Sequence, residues 1–306
     1  MSRRRKGRDV HGIVLLDKPA GLSSNQAVQK VRWLFQARKA GHTGSLDPFA
    51  TGMLPICLGE ASKTAGFMLD AAKVYVATAR LGQATTTGDT EGEPAASAPV
   101  PAVGVAQVEA ALARFQGEIA QVPPMYSALK HQGQPLYRLA RAGVEVPRAP
   151  RTVTIHALDL LTWEPPLLSF RVHCSKGTYV RNLAEDIARE LGSCAHLVAL
   201  RRLAVEPFRE DAMVRLEDLE ARSEAGDPDA CLLPADAGLA HWPRIRLDDG
   251  AAGCFRNGNP VPAAAAVPGP VRVYGAADQL LGLGEVTPDG RLTVRRVFHM
   301  ESLNCA

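Results

Sequence analysis

The stretch Gly41-His42-Thr43-Gly44-Ser45-Leu46-Asp47-Pro48-Phe49-Ala50-Thr51-Gly52-Met53-Leu54-Pro55 changes character at its middle. Up to Pro48 it is rich in turn-forming residues and poor in apolar ones, which predicts a loop. From Met53 to Leu58 the run turns apolar and reads as a buried strand. Asp47 therefore sits on a glycine-rich loop next to regular structure, where a carboxylate can be held firmly and still be reached. Taken alone, an aspartate before a proline is a turn or cap residue.

Working outward, Gly12 to Leu16 reads as a short buried strand that ends in the turn formers Asp17 to Gly21. A helix follows, because Ser23 and Gln26 have capping-box spacing and Val28, Val31 and Phe35 recur at helical intervals. Downstream, Lys73 to Leu81 predicts a longer strand with Tyr75, Ala77, Ala79 and Leu81 on one face. Residues 91–105 read as a surface loop, and Val108, Ala111, Leu112 and Phe115 mark an amphipathic helix. Residues 121–150 carry five prolines and read as an insertion projecting from the sheet. Strands are expected at Thr152 to Leu161, Leu168 to Cys174 and about His196 to Leu203. A helix is expected from Val180 to Leu191, with Gly192 placed as its C-terminal glycine, and another from Leu216 to Arg222. Strands and helices mix without a strict βαβ rhythm, which favours an α+β fold with a mixed, largely antiparallel sheet over a doubly wound one. From Arg244 the texture becomes short strands divided by Gly/Pro turns, as in a small β-barrel.

With 306 residues, 46% of them apolar and 22% charged, the chain has the bulk properties of a soluble globular protein of two units. Its net charge of +3 permits a nucleic-acid partner without requiring one. The charge is concentrated locally: Arg3, Arg4, Arg5, Lys6 and Arg8 stand against Asp9 alone, and five Lys/Arg between Lys130 and Arg151 stand against Glu145. Such runs suit phosphate contacts, although solvated segments have the same composition. The six cysteines form no C-x-x-C pair and have no histidine at metal-ligand spacing, so they are expected to be reduced thiols in a cytoplasmic protein without zinc. The apolar run behind the basic start is too short for a signal sequence, and no stretch is long enough to span a bilayer. His42, Ser45 and Asp47 are too close together on one short loop for a hydrolytic triad, and no G-x-S-x-G elbow is present. Ser62-Lys63-Thr64 lacks the glycine spacing of a P-loop.

The Gly41 to Pro55 phrase is preceded by Leu16-Asp17-Lys18-Pro19-Ala20-Gly21 and followed by Lys73-Val74-Tyr75. Further on come Cys174-Ser175-Lys176-Gly177-Thr178-Tyr179-Val180-Arg181-Asn182-Leu183 and Leu200-Arg201-Arg202-Leu203. Together, in this order, these closely resemble the TruB family of tRNA pseudouridine-55 synthases over roughly residues 12–205. The tail, with Arg256-Asn257-Gly258-Asn259-Pro260-Val261 and strands between Val271 and Phe298, resembles a PUA-type RNA-binding module.

The resemblance implies Asp47 as the catalytic carboxylate and Arg181 as the cation that pairs with it, keeping its pKa low. It implies Tyr75 stacked on the target base with a part in removing the C5 proton, Tyr179 and Leu200 lining the uracil pocket, and His42 filling the place of the extruded nucleotide. Lys18, Lys73, Lys130, Arg138, Arg141 and Lys176 are expected as RNA contacts. The implied substrate is uridine 55 in the T arm of tRNA, flipped from its stack, with no cofactor and no metal because the reaction is an isomerisation. The insertion implies an enzyme that works without a protein partner, and a monomer is expected. The expected organisation is a basic tail (1–9), a catalytic domain (10–240) containing the insertion at about 121–150 and a trailing helix and linker at about 206–240, and a PUA-like domain (241–306). Two alternatives stay open: an RNA-binding protein that grips a flipped base without reacting, and a guide-dependent synthase active only with partners.

Overall fold

The computed structural model describes residues 7–263 and 267–300. The basic run from Arg3 to Lys6 and Cys305 lie outside the described residues. Strand β1 (Gly12–Lys18) extends two residues beyond its apolar run, and α1 (Ser24–Leu34) begins at a complete Ser23/Gln26 capping box. The chain returns through β2 (Ala40–His42) to the loop that holds Asp47, then enters β3 (Thr51–Leu58). The expected loop thus begins later than its turn residues suggest, because Ala40, Gly41 and His42 pair with Leu58, Cys57 and Ile56 of β3. A short helix, α2 (Ala65–Met68), leads to β4 (Lys73–Leu81).

Residues 91–105 are not wholly a loop: β5 (Gln83–Thr85) pairs with β6 (Pro94–Ser97) in a small separate sheet. The amphipathic helix α3 (Val105–Ala113) and β7 (Gly117–Gln121) follow. The insertion contains a tiny hairpin, β8 (Lys130–His131) with β9 (Gln134–Pro135), and helix α4 (Leu136–Arg141), all outside the main sheet. Then come β10 (Arg151–Glu164), β11 (Leu167–Cys174), α5 (Val180–Glu190) and β12 (Ala195–Val205). Gly192, at φ 75°, occupies the left-handed position just past α5. A two-residue strand, β13 (Val214–Arg215), and α6 (Leu216–Glu224) complete this part.

The main sheet has nine strands in the order β13-β1-β3-β12-β4-β11-β10-β7, with β2 also on β3. Only the β1/β13 and β3/β12 pairs are parallel, so the sheet is mixed and largely antiparallel. Alternate residues of β1 and β3 serve two cores. Val14, Leu16, Leu54, Ile56 and Leu58 pack under Ala27, Val28, Val31 and Leu34 of α1. Ile13, Leu15, Met53 and Cys57 face the opposite way, toward Met68 and Leu239. Burial on both faces is why these strands read as continuous apolar runs rather than alternating ones. Helix α5 packs on β12 and β4, turning Leu183 and Ile187 inward.

The C-terminal sheet comprises β14 (Arg244–Arg246), β15 (Val261–Pro262), β16 (Gly269–Tyr274), β17 (Leu280–Val286) and β18 (Arg291–Val297), in the order β14-β16-β17-β18-β15. Its edge strands β14 and β15 do not pair with each other, so the expected barrel is a curled, open sheet. A helix, α7 (Asp249–Arg256), packs on it through Phe255, which is fully buried. No helix among the described residues is long and apolar enough to cross a membrane.

Candidate active site

The loop between β2 and β3 is held from three sides. From α1, Ser24 Oγ accepts a hydrogen bond from the Leu46 amide at 2.7 Å and donates to the Leu46 carbonyl at 2.9 Å. From β1, the Lys18 ammonium donates to the carbonyls of Pro19, Leu22 and Pro48 at 2.8, 2.8 and 3.2 Å. From β12, the Arg202 guanidinium donates to Met53 at 2.7 Å, Ser45 at 3.3 Å and Gly44 at 3.2 Å. Loop and strand approach so closely that a Cβ on Gly52, at φ 98°, would stand 2.2 Å from the Arg202 carbonyl oxygen, which requires glycine there.

The side chain so fixed meets Arg181 near the start of α5. Arg181 Nε lies 3.0 Å from Asp47 Oδ2, and the Arg181 side chain is only 5% exposed. The same guanidinium donates to the carbonyls of Thr87 (2.7 Å) and Tyr126 (2.8 Å) and faces a second carboxylate, Asp89, at 3.4 Å. Asp89 is buried at 2% exposure and is itself braced by the Thr87 hydroxyl and the Glu91 amide. One buried cation between two carboxylates and tied to two main-chain carbonyls is a fixed geometry rather than a flexible surface pair. Gln121 anchors the start of α5: its side chain accepts from the Tyr179 amide at 2.8 Å and donates to the Tyr179 carbonyl at 3.1 Å.

A cavity of about 400 Å³ opens over this pair, lined among others by His42, Asp47, Tyr75, Tyr179, Arg181 and Leu200. All six residues expected at the catalytic and base-binding positions therefore line one pocket. Tyr75 on β4 stands opposite Arg202 on β12, and Leu200 stands opposite Ala77, so neighbouring strands supply the pocket floor. His42 accepts a hydrogen bond at Nδ1 from the Gly44 amide, 3.2 Å away.

The electrostatics differ from expectation at one point. Burial raises the Asp47 carboxyl above its usual pKa; Arg181 opposes this and Asp89 adds to it, and the net direction is upward rather than low. Burial also pushes the Tyr75 and Tyr179 phenols up, so both are neutral at neutral pH. His42 is shifted down by burial and by Arg202, which favours the neutral imidazole.

The expected basic contacts divide. Lys18 is fully buried and its ammonium is spent on the three carbonyls above, while Lys73, 8% exposed, donates to the Leu69 and Ala71 carbonyls. Burial lowers both to about 8. With its three donors taken, Lys18 has none left for a phosphate, which corrects that expectation, whereas Lys73 stands in the cavity lining. Lys130, Arg138 and Arg141 are exposed on the insertion, outside the pocket lining, and Lys176 is exposed and paired with Asp70 at 2.8 Å. Sequence reasoning missed Asp89, Gln121 and Arg202. Arg202 had a signal, since residues two apart on a strand share a face and Leu200 already pointed to the pocket.

The architecture agrees with comparisons to known proteins. The model for the N-terminal domain of TruB family pseudouridylate synthases matches residues 32–180, the tRNA pseudouridylate synthase B C-terminal domain matches 181–240, and the pseudouridine synthase II TruB C-terminal model matches 243–298. The chain is 53% identical over 295 residues to tRNA pseudouridine synthase B of Pseudomonas aeruginosa (strain UCBPP-PA14), covering 95% of this chain and 97% of the relative. It is 47% identical over 311 residues to the protein of the same name from Serratia proteamaculans (strain 568), covering 97% and 98%. Among solved structures, one described as a crystal structure of a Cbf5-Nop10-Gar1 complex aligns with a TM-score of 0.72 at 28% identity, over 94% of this chain and 85% of that one. On these grounds the chain belongs to the TruB family of pseudouridylate synthases.

Proposed function

We propose that this chain converts uridine 55 in the T arm of tRNA to pseudouridine, with Asp47 as the catalytic carboxylate. The observation that carries the reading is the Asp47–Arg181 pair at 3.0 Å inside a cavity walled by Tyr75, Tyr179 and Leu200. The isomerisation breaks the N1–C1′ bond, turns the uracil, forms a C5–C1′ bond, and exchanges the C5 proton for one taken up at N1, with no net redox change. Attack of the carboxylate on C6, attack on C1′ and cleavage through a glycal all demand the same thing: an ionised carboxylate held near the sugar and shielded from water. Arg181 orients Asp47 and favours its charged form. A uridine stacked in an RNA loop must leave its stack to reach such a pocket, at a cost of a few kcal/mol. Tyr75 offsets part of that cost by stacking, and as a neutral phenol it is not a phenolate base.

The exposed Lys130, Arg138 and Arg141 on the insertion suit the phosphates of the bound arm, which supports a monomer acting without partners. The test is incubation of the purified protein alone with an unmodified tRNA transcript, followed by mapping of pseudouridine to single nucleotides. One modified position, 55, is expected from the wild type and none from Asp47→Asn, with RNA binding within about tenfold. Tritium release from 5-labelled uridine persisting in Asp47→Asn would sink the carboxylate assignment. Activity seen only after partner proteins are added would overturn the stand-alone part.

A further inference from the structure

Trp33 is 74% exposed on α1, and no other Trp, Tyr or Phe among the described residues is exposed. The inner face of the helix is fully used by Ala27, Val28, Val31 and Leu34, so Trp33 is not a misplaced core residue. Its surroundings are basic. From Leu22 to Leu46 the chain contains Lys30, Arg32, Arg38 and Lys39 and no acid. Lys30 pairs with Glu220 of α6 and Arg38 with Asp9, but among the described residues Arg32 and Lys39 have no ion-pair partner. Gly7 and Arg8 join this edge through the backbone: the Arg8 amide donates to Gln36 and the Arg38 amide to Arg8. The sequence immediately before them is Arg3-Arg4-Arg5-Lys6.

A large flat aromatic flanked by unpaired cations is the chemistry that holds an unstacked base between phosphates. Along the chain this surface neighbours the loop that lines the pocket. Lys39 is three residues from His42 along β2, about 10 Å, and α1 carries Trp33 about 13 Å from Ser24, which grips the Asp47 loop. Sheet order separates this surface from the root of the insertion, whose Tyr126, Ser127 and Ala128 reach the cavity. The insertion leaves β7 at one edge, α1 and β2 lie against β3, and five strand spacings, about 24 Å, divide them. An RNA arm held against the insertion leaves the α1 face free for another part of the same folded RNA.

We propose that the Trp33 face of α1 is a docking surface for tRNA outside the T arm, with Trp33 stacked on an unpaired base and Arg32 and Lys39 on neighbouring phosphates. The inference rests on tRNA being the substrate. It is tested with the full chain and two probes, an unmodified tRNA transcript and the isolated T-arm hairpin. Trp33→Ala weakens binding of whole tRNA about tenfold, the loss of one stacked base, and leaves hairpin affinity and the hairpin's saturated modification rate unchanged. Trp33→Phe recovers most of the loss. The Arg32→Ala/Lys39→Ala double variant lowers the salt slope for whole tRNA by about two. Whole tRNA, but not the hairpin, shields wild-type tryptophan fluorescence from iodide. Equal affinities of wild type and Trp33→Ala for both RNAs, equal losses on both, or iodide access unchanged by tRNA would each overturn the surface while leaving hairpin modification, and so the enzyme reading, intact. A wild type that modifies neither RNA overturns the enzyme reading itself and this surface with it.

Discussion

At Asp47, the carboxylate we propose as catalytic, activity and stability pull apart. Its carboxyl is raised by burial and by Asp89 against the pull of Arg181, so the folded chain holds the Asp47 proton more tightly than the unfolded chain does. In the window between the ordinary carboxylate value and the raised one, the native state binds the extra proton, and this site's contribution to stability falls as pH rises. Above the raised value the cost of the charge is complete. Two outcomes follow. The acid limb of single-turnover pseudouridine formation should lie above the 3.8 of an ordinary aspartate, measurable with a T-arm hairpin across pH. Asp47→Asn should melt at least as high as wild type at neutral pH, with the advantage shrinking as pH falls below the raised value; a neutral-pH loss of several degrees would contradict the sign. Asp47 and Arg181 were legible because each sits in a long motif. Asp89 was not, since nothing around Thr87-Gly88-Asp89 marks an acid that folding brings beneath a helix 92 residues away.

The loop that carries Asp47 is an element with no regular hydrogen bonding of its own, and buried cations supply what a strand ladder would. Lys18 holds the Pro48 carbonyl, and Arg202 holds the carbonyls of Gly44, Ser45 and Met53. Lys18→Met should therefore lower the modification rate by tenfold or more while changing RNA affinity and its salt dependence little. A phosphate contact would do the reverse, reducing affinity and the salt slope by about one. Arg202→Lys keeps the charge but cannot reach three carbonyls from one planar group, so the rate should fall with KM little changed. Most elements were legible because their apolar spacing is set by one face packing on one core. Helix α7 was not: Gly250 and Gly253 lower its propensity, and it is held by an Asp248 cap at 2.8 Å and by Phe255, features that only tertiary packing makes decisive. The pair β5 and β6 escaped for a related reason, as three- and four-residue strands of Gln, Ala, Thr, Pro and Ser carry no period to read.

At the scale of the whole chain, the texture change near Arg244 suggested a module added after the catalytic part, and the packing shows how closely the two are joined. Tyr274, Leu280, Leu283 and Phe298 of the C-terminal sheet share one apolar cluster with Ile13, Leu15 and Met53, the rear face of the strands that position Asp47. Polar ties cross the same seam: Lys63 donates to the Val297 carbonyl at 2.8 Å, and Glu60 accepts from the His299 amide at 2.8 Å. Composition could mark the change of module but not this seam, because apolar residues at alternate positions of β1 look the same whether they meet a helix or a second sheet. At its centre, Asp236 is 4% exposed and accepts from Arg272 at 3.0 Å and from the Tyr274 hydroxyl. Replacing Asp236 with alanine strands a largely buried guanidinium and removes the acceptor of a buried phenol, at a cost of about 3 kcal/mol. Since the cluster continues into the strands beneath the pocket, urea unfolding of wild type should show a single transition by fluorescence and circular dichroism. Asp236→Ala should move that whole transition to lower urea, whereas a C-terminal unit melting first with the remainder unmoved would show that the shared cluster does not couple them.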